Sequence, residues 1–466
     1  MTTSRSTELR NALAGIAGEA NVLAGDEAAQ FSGDALGAGR GSTEFPVVDA
    51  ADVVVVRPGT AEEIAAVVRL ANERRIAIVP HGGGSGLMGG AMPLAPSIVI
   101  DVTRMNRVLE VNRDEQTIVV QAGAVLGDVN RELEAQGLEV GHDPWTQNVA
   151  TVGGTISTDS LGYLGAKYGS MGDQVLQLTV VLPDGSVLRT GTVAKASVGP
   201  DLERLFIAAE GCFGVIAEAR LRVFPLPEER ELLAFEFDSF EKGIGALLAM
   251  RSVGLVPDIM EFDEAYGGDF EADPPALNIG FQGYSEYVGA AAERARVMCK
   301  EAGGLEQSRE DAWSYWEHRH DIGDRFAQRR RSGQPQRWFP PGSGFDYSHV
   351  TMRVSRVLEF RERALAILRE KRVRPAEIGV WCHPELISVY ASYDDGSDGA
   401  LRLTAAVDEI LQVAQELGGA MEYCHGVGVR LAHLMQRERG HSLDVLRSIK
   451  ETLDPNGIMN PGKLGL

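Results

Sequence analysis

Cysteine is rare in this chain of 466 residues, which holds four scattered ones: Cys212, Cys299, Cys382 and Cys424. No two of them form a C-x-x-C pair. The sequence therefore disfavours a disulfide scaffold and a structural zinc site, and it favours a reducing compartment. From this scarcity we predict a cytoplasmic protein.

Long apolar runs are absent as well. The N-terminal stretch, MTTSRSTELRNALAGIAG, lacks the apolar segment of a signal peptide. No run approaches the ~20 apolar residues that a membrane-spanning helix needs. We therefore expect a soluble protein without a membrane span.

Basic residues are outnumbered by acidic ones. The chain has 45 Lys and Arg against 66 Asp and Glu, and its formal net charge is −21. Such a balance disfavours a nucleic-acid partner, which needs a basic surface. It says little about the substrate, because an acidic surface mainly favours solubility. The length predicts roughly two or three domains.

Residues 51–227 alternate strand-like runs with helical segments. Thr60 and Glu63 have the spacing of a capping box, and apolar residues then recur with the 3.6-residue period of a helix. A second helix is predicted over Asp201–Glu210. Strands are predicted at Val53–Val56, 76–80, 97–102, Thr117–Gln121 and Leu178–Leu182.

From about residue 228 the pattern changes to longer strands and helices. Strands are predicted at 231–240, 276–284 and 385–393, and helices at 241–253, 286–302, 355–371 and 400–417. This order indicates an α+β domain with an antiparallel sheet. A basic, aromatic stretch over 313–341 interrupts it, and two interpretations stay open: a solvated loop, or a loop beside the substrate.

The chain is rich in glycine just after the predicted strand at 76–80, where residues 80–90 read PHGGGSGLMGG. Gly84–Gly89 fits G-x-G-x-x-G, the fingerprint of a Rossmann fold. That fold needs a helix directly after the glycines, whereas AMPLAPSIVID follows here. We reject a Rossmann fold, which leaves a plain glycine-rich turn or a nest of backbone amides around a pyrophosphate.

Two further stretches, 142–172 and 208–219, are rich in small residues that let backbone pack against a flat ligand. Together with the glycine loop they carry a family resemblance. The chain resembles flavoproteins of the vanillyl-alcohol-oxidase type. The matching segments occur in family order: RPGTAEEIAAVVRLANERRIAIVPHGGGSGLMGG, ATVGGTISTDSLGYLGAKYGSMGDQV, VLPDGSVLRTG, VGPDLERLFIAAEGCFGVIAEA and LDPNGIMNPGKLG.

The resemblance implies an α+β fold: a two-part FAD-binding domain that is not a Rossmann fold, and an α+β cap domain on an antiparallel sheet. It divides the chain into an N-terminal helical segment (1–45), the FAD-binding domain (46–227), the cap (228–420) and a C-terminal segment (421–466) that returns to the FAD-binding domain. The likeness is strongest to FAD-linked 2-hydroxy-acid dehydrogenases and to alkyl-dihydroxyacetonephosphate synthase.

The resemblance also implies the residues that bind FAD. Gly84 stands where the berberine-bridge branch carries a flavin-linking histidine, so we expect noncovalent FAD. The implied cofactor-binding residues are Pro80, His81, Gly82, Gly83, Gly84, Ser85, Gly86, Leu87, Pro144, Thr151, Gly153, Gly154, Ser157, Gly211, Gly214, Val215, Ile216 and Asn460.

The stretch MEYCHGVGVR carries the best catalytic candidate. Both related branches place a histidine against the flavin in an H-G-[IV]-G motif, and His425 matches it. The alternative is a histidine that merely serves the turn before Gly426. Cys424 departs from both branches, which have Glu or His there. A small buried thiol is the simplest interpretation of it.

A second departure concerns metal. Hydroxy-acid dehydrogenases of this type often bind a divalent ion through H-x-x-x-x-x-x-H, and the matching stretch begins at His383 but ends at Tyr390. One imidazole is a poor metal site, so we predict no metal. Tyr390 faces the substrate in one interpretation and simply lies on the sheet in the other.

Arg319, in the stretch YWEHRHD, is the candidate for anchoring the substrate. An arginine holds a carboxylate or phosphate in a bidentate fork, and the alternative is a surface arginine. Our first hypothesis is an FAD-dependent oxidoreductase that oxidises an alcohol carbon, such as that of a 2-hydroxy acid, by hydride transfer to flavin N5. His425 would act as the base or as a hydrogen-bond partner.

Two alternatives stay open. One is non-redox transfer through a flavin N5 adduct, as in the alkyl synthase, and the other is a binding module without flavin. The electron acceptor (oxygen, a quinone or a redox protein) is undetermined, and a homodimer is the default assembly.

Overall fold

The computed structural model describes residues 3–37, 48–191, 196–267, 270–332, 343–394 and 398–466. Its first sheet has the strand order β1-β2-β4-β3. β2 runs parallel to β4, and β4 runs parallel to β3. The elements here are α1 (Thr3–Ala17), β1 (Val22–Ala24), β2 (Val53–Val56), α2 (Ala61–Arg74), β3 (Ala77–His81) and β4 (Ser97–Asp101).

Helix α2 begins where the spacing of Thr60 and Glu63 predicts. The Thr60 side chain accepts a hydrogen bond from the Glu63 amide, and Arg75 adopts a left-handed conformation (φ 53°) that ends the helix. Ile64, Val67 and Ala71 are buried in the main hydrophobic core. The helix packs there because its apolar residues recur at the helical period.

The glycine loop passes from β3 to β4 without a helix, so the rejection of a Rossmann fold is confirmed. A Cβ atom at Gly83 would lie 2.0 Å from the carbonyl oxygen of Val149, and one at Gly82 would lie 2.2 Å from Oγ1 of Thr151. Glycine is therefore required where this loop crosses the 142–172 segment.

A second, antiparallel sheet follows, with the order β5-β6-β10-β8-β9. The short strands β7 and β11 pair with each other beside it. The elements are β5 (Val108–Asn112), β6 (Thr117–Gln121), α3 (Leu126–Glu134), β7 (Leu138–Glu139), α4 (Val152–Thr158), α5 (Gly165–Tyr168), β8 (Val175–Val181), β9 (Val187–Arg189), β10 (Val215–Arg222) and β11 (Phe224–Pro225).

The helix predicted over Asp201–Glu210 is wrong. One short 3₁₀ turn forms at Leu202–Leu205, and then Ala208 and Glu210 adopt positive φ angles of 57° and 48°. These angles end any helix. They also turn the Glu210 side chain inward, where it accepts a hydrogen bond from the amide of Gly428.

The cap is built on an antiparallel sheet, as predicted, with the order β15-β12-β14-β13-β17-β18-β16. Its strands are β12 (Glu229–Glu236), β13 (Ile259–Ala265), β14 (Ala276–Gly283), β15 (Leu305–Glu306), β16 (Gly344–Thr351), β17 (Arg374–Trp381) and β18 (His383–Tyr393). Its helices are α6 (Phe240–Ser252), α7 (Ser285–Glu301), α8 (Arg309–His318), α9 (Asp321–Arg331), α10 (Val357–Lys371) and α11 (Gly399–Glu416).

The basic, aromatic stretch at 313–341 is largely helical where the structure describes it. It supplies the end of α8 and the whole of α9, and its residues 333–341 lie outside the described ranges. A Cβ atom at Gly323 of α9 would lie 1.9 Å from the carbonyl oxygen of Trp145. This part of the chain therefore packs tightly against the 142–172 segment.

The C-terminal segment adds α12 (Met435–Arg439) and α13 (His441–Leu453) and then returns to the first sheet. The amide of Ile78 donates to the carbonyl of Ile458 at 2.7 Å, and the amide of Asn460 donates to the carbonyl of Ile78 at 2.8 Å. These contacts agree with a C-terminal segment that returns to the first part of the chain. The four-part division itself is a proposal. Across the described ranges, no helix combines the length and the apolar character that spanning a bilayer requires.

Candidate active site

A long groove runs between the glycine loop, the 142–172 segment and the 208–219 segment; we call it the cofactor groove. Nearly every residue predicted to bind FAD lines it: Pro80, His81, Gly82, Gly83, Gly84, Ser85, Gly86, Leu87, Pro144, Thr151, Gly153, Gly154, Ser157, Gly211, Gly214, Val215 and Ile216. Asn460 does not line it. Its Nδ2 donates to the carbonyls of Gly90 and Glu210, so it joins two walls of the groove.

The glycine loop offers unused hydrogen-bond donors. Within the described part of the chain, the amides of Gly83, Gly84, Ser85 and Gly86 donate to no acceptor. Successive free amides of this kind form an anion-binding nest. Arg330 adds a positive charge, since its Nη1 donates to the carbonyl of Gly84 at 3.0 Å. The groove therefore fits the pyrophosphate of a dinucleotide.

Two buried acids line the same groove. Burial raises the pKa of Asp34 to about 6 although the amides of Leu36 and Ala91 oppose the shift. Burial also raises the pKa of Glu210 to about 7. At pH 7 about half of Glu210 is therefore neutral but only about a tenth of Asp34, so it is mainly Glu210 whose repulsion of a phosphate is reduced.

The H-G-V-G motif is held in place by Glu210. Its Oε1 accepts from the amides of Val427 and Gly428. Gly426 and Gly428 have φ angles of 79° and 52°, and a Cβ atom at Gly428 would lie 1.9 Å from the carbonyl oxygen of Met88. The motif thus needs its glycines for backbone shape and for close packing.

A second cavity, of about 270 Å³, lies under the cap sheet; we call it the cap cavity. Four residues line both it and the cofactor groove: Leu87, Trp145, Cys424 and His425. His425 thus stands where the two spaces meet. Its ring centroid lies 4.9 Å from that of His349 and 5.2 Å from that of Tyr347.

A polar cluster next to His425 was missed in the sequence. His349 Nδ1 lies 2.6 Å from Ser388 Oγ and 3.0 Å from the Tyr423 hydroxyl, and its Nε2 lies 3.4 Å from the Tyr390 hydroxyl. Tyr390 therefore faces the cavity, and burial raises its pKa well above the ordinary range. His349 lies on β16, a strand that the pattern did not predict, so nothing local indicated its position.

Arg319 also lines the cap cavity, but an acid already engages it. Its Nε donates to Asp143 Oδ2 at 2.8 Å, and its guanidinium lies 3.7 Å from the ring centroid of Trp316. His320 Nε2 lies 2.7 Å from the other oxygen of Asp143. Burial alone would raise the pKa of Asp143, but the hydrogen bonds and charges of His320 and Arg319 lower it.

His383 lies elsewhere. It lines a separate depression with Arg251 and Glu385, and burial lowers its pKa. The structure does not bring it to the cap cavity. Among the described residues, no three His, Cys, Asp or Glu side chains converge as a metal site would require.

Cys424 is buried at the junction of the two spaces. Its Sγ lies 3.6 Å from the carbonyl oxygen of Leu161, and burial raises its pKa to about 12. The thiol is therefore protonated at neutral pH and does not act as a thiolate nucleophile.

The cap cavity also carries three carboxyl groups that the sequence reasoning missed: Glu261, Asp263 and Glu377. Burial is the largest cause of all three raised pKa values. Repulsion by neighbouring acids adds to the shift of Asp263, whose pKa is about 8, and of Glu377, whose pKa is about 7. Apart from the two histidines, Arg319 is the one basic side chain among the described residues that line this cavity.

Comparison with known proteins agrees with this geometry. Residues 53–191 match the family described as an FAD binding domain, and residues 226–464 match the C-terminal domain of FAD linked oxidases. The chain is 29% identical over 439 residues to a D-lactate dehydrogenase of Anaerostipes hadrus, covering 88% of this chain and 89% of the relative.

Two further likenesses were found. The chain is 27% identical over 459 residues to the alkyldihydroxyacetonephosphate synthase of Dictyostelium discoideum, covering 90% of this chain and 74% of the relative. Its fold is similar to that of p-cresol methylhydroxylase with substrate bound, with a TM-score of 0.80, 18% identity and coverage of 100% of this chain and 98% of the other.

Proposed function

Because the chain belongs to the family of FAD-linked oxidases, we propose that it oxidises a carbon bearing a hydroxyl group in a small molecule. The observation that carries the proposal is the position of His425, which lines both the cofactor groove and the cap cavity. A group at this junction can contact a substrate hydroxyl beside the flavin.

The cofactor groove would hold FAD through its backbone. The free amides of Gly83 to Gly86 would receive the pyrophosphate, and Arg330 would neutralise part of its charge. When bound, FAD supplies a hydride acceptor at N5. We expect the cofactor to be noncovalent, as the glycine at position 84 indicates.

His425 is proposed as the base that takes the proton of the substrate hydroxyl. Its backbone is fixed on both sides. Oε1 of Glu422 accepts from the amides of Tyr423, Cys424 and His425, and Glu210 holds the two residues after Gly426. This support limits movement of the ring relative to the groove, and such positioning favours proton transfer.

A 2-hydroxy acid is the first substrate class to test. The D-lactate dehydrogenase relative favours it, and Arg319 is the side chain that would hold a carboxylate. The pair with Asp143 leaves Arg319 only part of its donors, because Nε and Nη1 are already engaged. A simple, singly anionic acid is therefore less favoured than a molecule with further polar groups.

Non-redox transfer of the alkyl-synthase kind is the second candidate, favoured by the relative from Dictyostelium. Its phosphorylated substrate would need cations in the cap cavity. The three carboxyl groups of that cavity count against it.

A substrate panel scored by anaerobic loss of the oxidised flavin absorbance tests the proposal. We expect at least one alcohol or hydroxy acid to reduce the bound flavin. If none does so, alcohol oxidation is rejected, and product formation without net reduction would favour the transfer reaction. Admitting air afterwards distinguishes an oxidase from a dehydrogenase. The cytoplasmic location and the homodimer also remain proposals.

A further inference from the structure

The three carboxyl groups of the cap cavity share one face of the cap sheet. β13 and β17 are antiparallel neighbours, with Asp263 opposite Gly379 and Glu261 opposite Trp381. Alternate residues of a strand point to the same side, so Glu261 and Asp263 share a side, as do Glu377 and Gly379. A Cβ atom at Gly379 would lie 2.7 Å from Cβ of Asp263, so this glycine makes room for the acid.

Two buried acids elsewhere in the cap are paired with arginine. On the opposite face of β13, Glu264 receives hydrogen bonds from Arg361 at 2.6 and 2.7 Å. Asp346 is paired with Arg430 at 3.1 Å, and both side chains are fully buried. Glu261, Asp263 and Glu377, by contrast, have no ion pair within the described residues.

The walls around these acids are aromatic. Seven Phe, Tyr or Trp rings line the cap cavity: Trp145, Tyr163, Phe345, Tyr347, Trp381, Tyr390 and Tyr423. The face of an aromatic ring attracts cations, and quaternary or primary ammonium groups are commonly bound in aromatic cages. The rings are an observation independent of the acids, and both favour the same kind of ligand.

A metal ion does not fit this position. Glu261, Asp263 and Glu377 do not converge with any His or Cys into a ligand set in the described ranges. Aromatic walls supply no oxygen ligands of the kind that hard cations require. The arrangement suits an organic cation, which needs diffuse negative charge and apolar contact.

We propose that the substrate carries a basic nitrogen, and that this cation binds between Glu261, Asp263 and Glu377 while the carbon to be oxidised lies beside His425. The acids line the cap cavity but not the cofactor groove, so the two ends of the substrate are separate. The position of the reacting carbon rests on the proposed function. The binding of the cation does not depend on it.

The inference also predicts a dependence on pH. Without a cation, burial and mutual repulsion hold the pKa of Asp263 at about 8 and that of Glu377 at about 7. A bound cation favours their ionised forms, so it releases protons and binds more tightly as pH rises through this range. The other titratable or charged groups that line the cavity are Tyr163, Arg319, Tyr347, His349, Tyr390, Tyr423, Cys424 and His425, and Tyr315 and Glu264 also act on the acids.

Binding is tested on the FAD-loaded protein with three ligands of one shape that carry no hydroxyl: 4-methylbenzylamine, 4-methylbenzamide and 4-methylbenzoate. Affinities come from calorimetry and from shifts in the oxidised flavin spectrum. We expect the amine to bind about tenfold more tightly than the amide, which corresponds to about 1.4 kcal/mol, and the benzoate to bind most weakly. Equal affinities, or no binding of the amine, overturn the inference.

Variants locate the effect. Glu377→Gln and Asp263→Asn are each expected to lower the affinity for the amine about tenfold, while the affinity for the amide stays unchanged. Glu286→Gln, at an exposed position in the first turn of α7, removes the same charge and is expected to change neither. If all three variants behave alike, the acids do not bind the cation. Retained amide affinity and an unchanged flavin spectrum show that a variant is folded.

A second panel separates this inference from the proposed function. It consists of 4-(aminomethyl)benzyl alcohol, 4-methylbenzyl alcohol and 4-(hydroxymethyl)benzoate, scored by anaerobic flavin reduction. If the amine ligand binds selectively but no alcohol reduces the flavin, alcohol oxidation fails while the cation site stands. If the neutral alcohol reduces the flavin as well as the amino alcohol does, the inference fails while the oxidation stands.

Discussion

The carboxylate of Glu210 accepts the amide hydrogen of Gly428 through both of its oxygens, at 2.8 Å and 3.0 Å. The two residues are 218 positions apart in the chain. One belongs to the wall of the cofactor groove and the other to the motif that carries His425. The contact therefore couples the shape of the groove to the position of the proposed base.

Replacing Glu210 by Gln is expected to disturb both the cofactor groove and the position of His425. The glutamine side chain has one acceptor oxygen instead of two, and its NH₂ group would face the backbone N–H groups of Val427 and Gly428. One of these buried N–H groups would therefore lose its acceptor. Such a loss costs about 1–3 kcal/mol of unfolding free energy. We expect weaker FAD retention and slower flavin reduction, measured by ultrafiltration and stopped-flow absorbance. The exposed Glu228→Gln serves as the control and should change neither.

The pair of Asp143 and Arg319 is expected to make stability depend on pH. The folded-state pKa of Asp143 lies below its ordinary value of 3.8, because His320 and Arg319 outweigh its burial. A depressed pKa contributes stability above the unfolded value, and this stability is lost as pH falls below about 3.8. The difference in unfolding free energy between wild type and Asp143→Asn should therefore shrink on acidification. A difference that grows would contradict the assignment.

His425→Gln is expected to retain FAD and lose activity. Loss of a general base reduces the rate of the chemical step about 10²–10⁴-fold, while the bonds from the Val427 and Gly428 amides to Glu210 still hold the loop. Anaerobic reduction by the best substrate of the panel measures the rate, and the visible spectrum reports the bound flavin. His441→Gln, whose imidazole is 91% exposed, is the matched control. Full activity of His425→Gln would exclude this residue as the base.

Arg330→Gln is expected to weaken the binding of FAD. The guanidinium bonds to the glycine loop beside free amides, and hydrogen bonds to charged groups contribute about 1.5–3 kcal/mol. Reconstitution of the apoprotein with FAD should therefore show a dissociation constant raised about tenfold or more. The neighbouring exposed Arg331→Gln removes the same charge and should bind FAD normally. Equal effects of the two variants would indicate only a general charge effect.

Local motifs predicted the glycine loop and several of its neighbouring elements, while the family resemblance supplied the other residues of the cofactor groove. The glycine loop, the cap of α2 and the strands at 53–56 and 117–121 follow from short-range rules, because turns, caps and periodicity are local properties. Glu210 lay inside a segment that the sequence reasoning had singled out, but its role depends on a residue 218 positions away. No local pattern indicates such a partner.

Three of the strands that were missed, β13, β16 and β17, line the cap cavity. Acids such as Glu261 and Asp263 in β13 are depleted in strands generally, so their segments do not look like strands. They lie there because one face of the sheet surrounds a polar cavity. The acidic residues that make β13 unlike a typical strand in sequence are thus the ones that place carboxyl groups in the cavity.

Asn460, near the end of the chain, donates to the carbonyl of Gly90, 370 positions earlier. During synthesis, the glycine loop leaves the ribosome long before this partner exists. Strand β3 therefore lacks its contacts to Ile458 and Asn460 until the whole cap has been synthesised. We therefore expect a chain truncated before Ile458 to retain FAD more weakly, which ultrafiltration would measure.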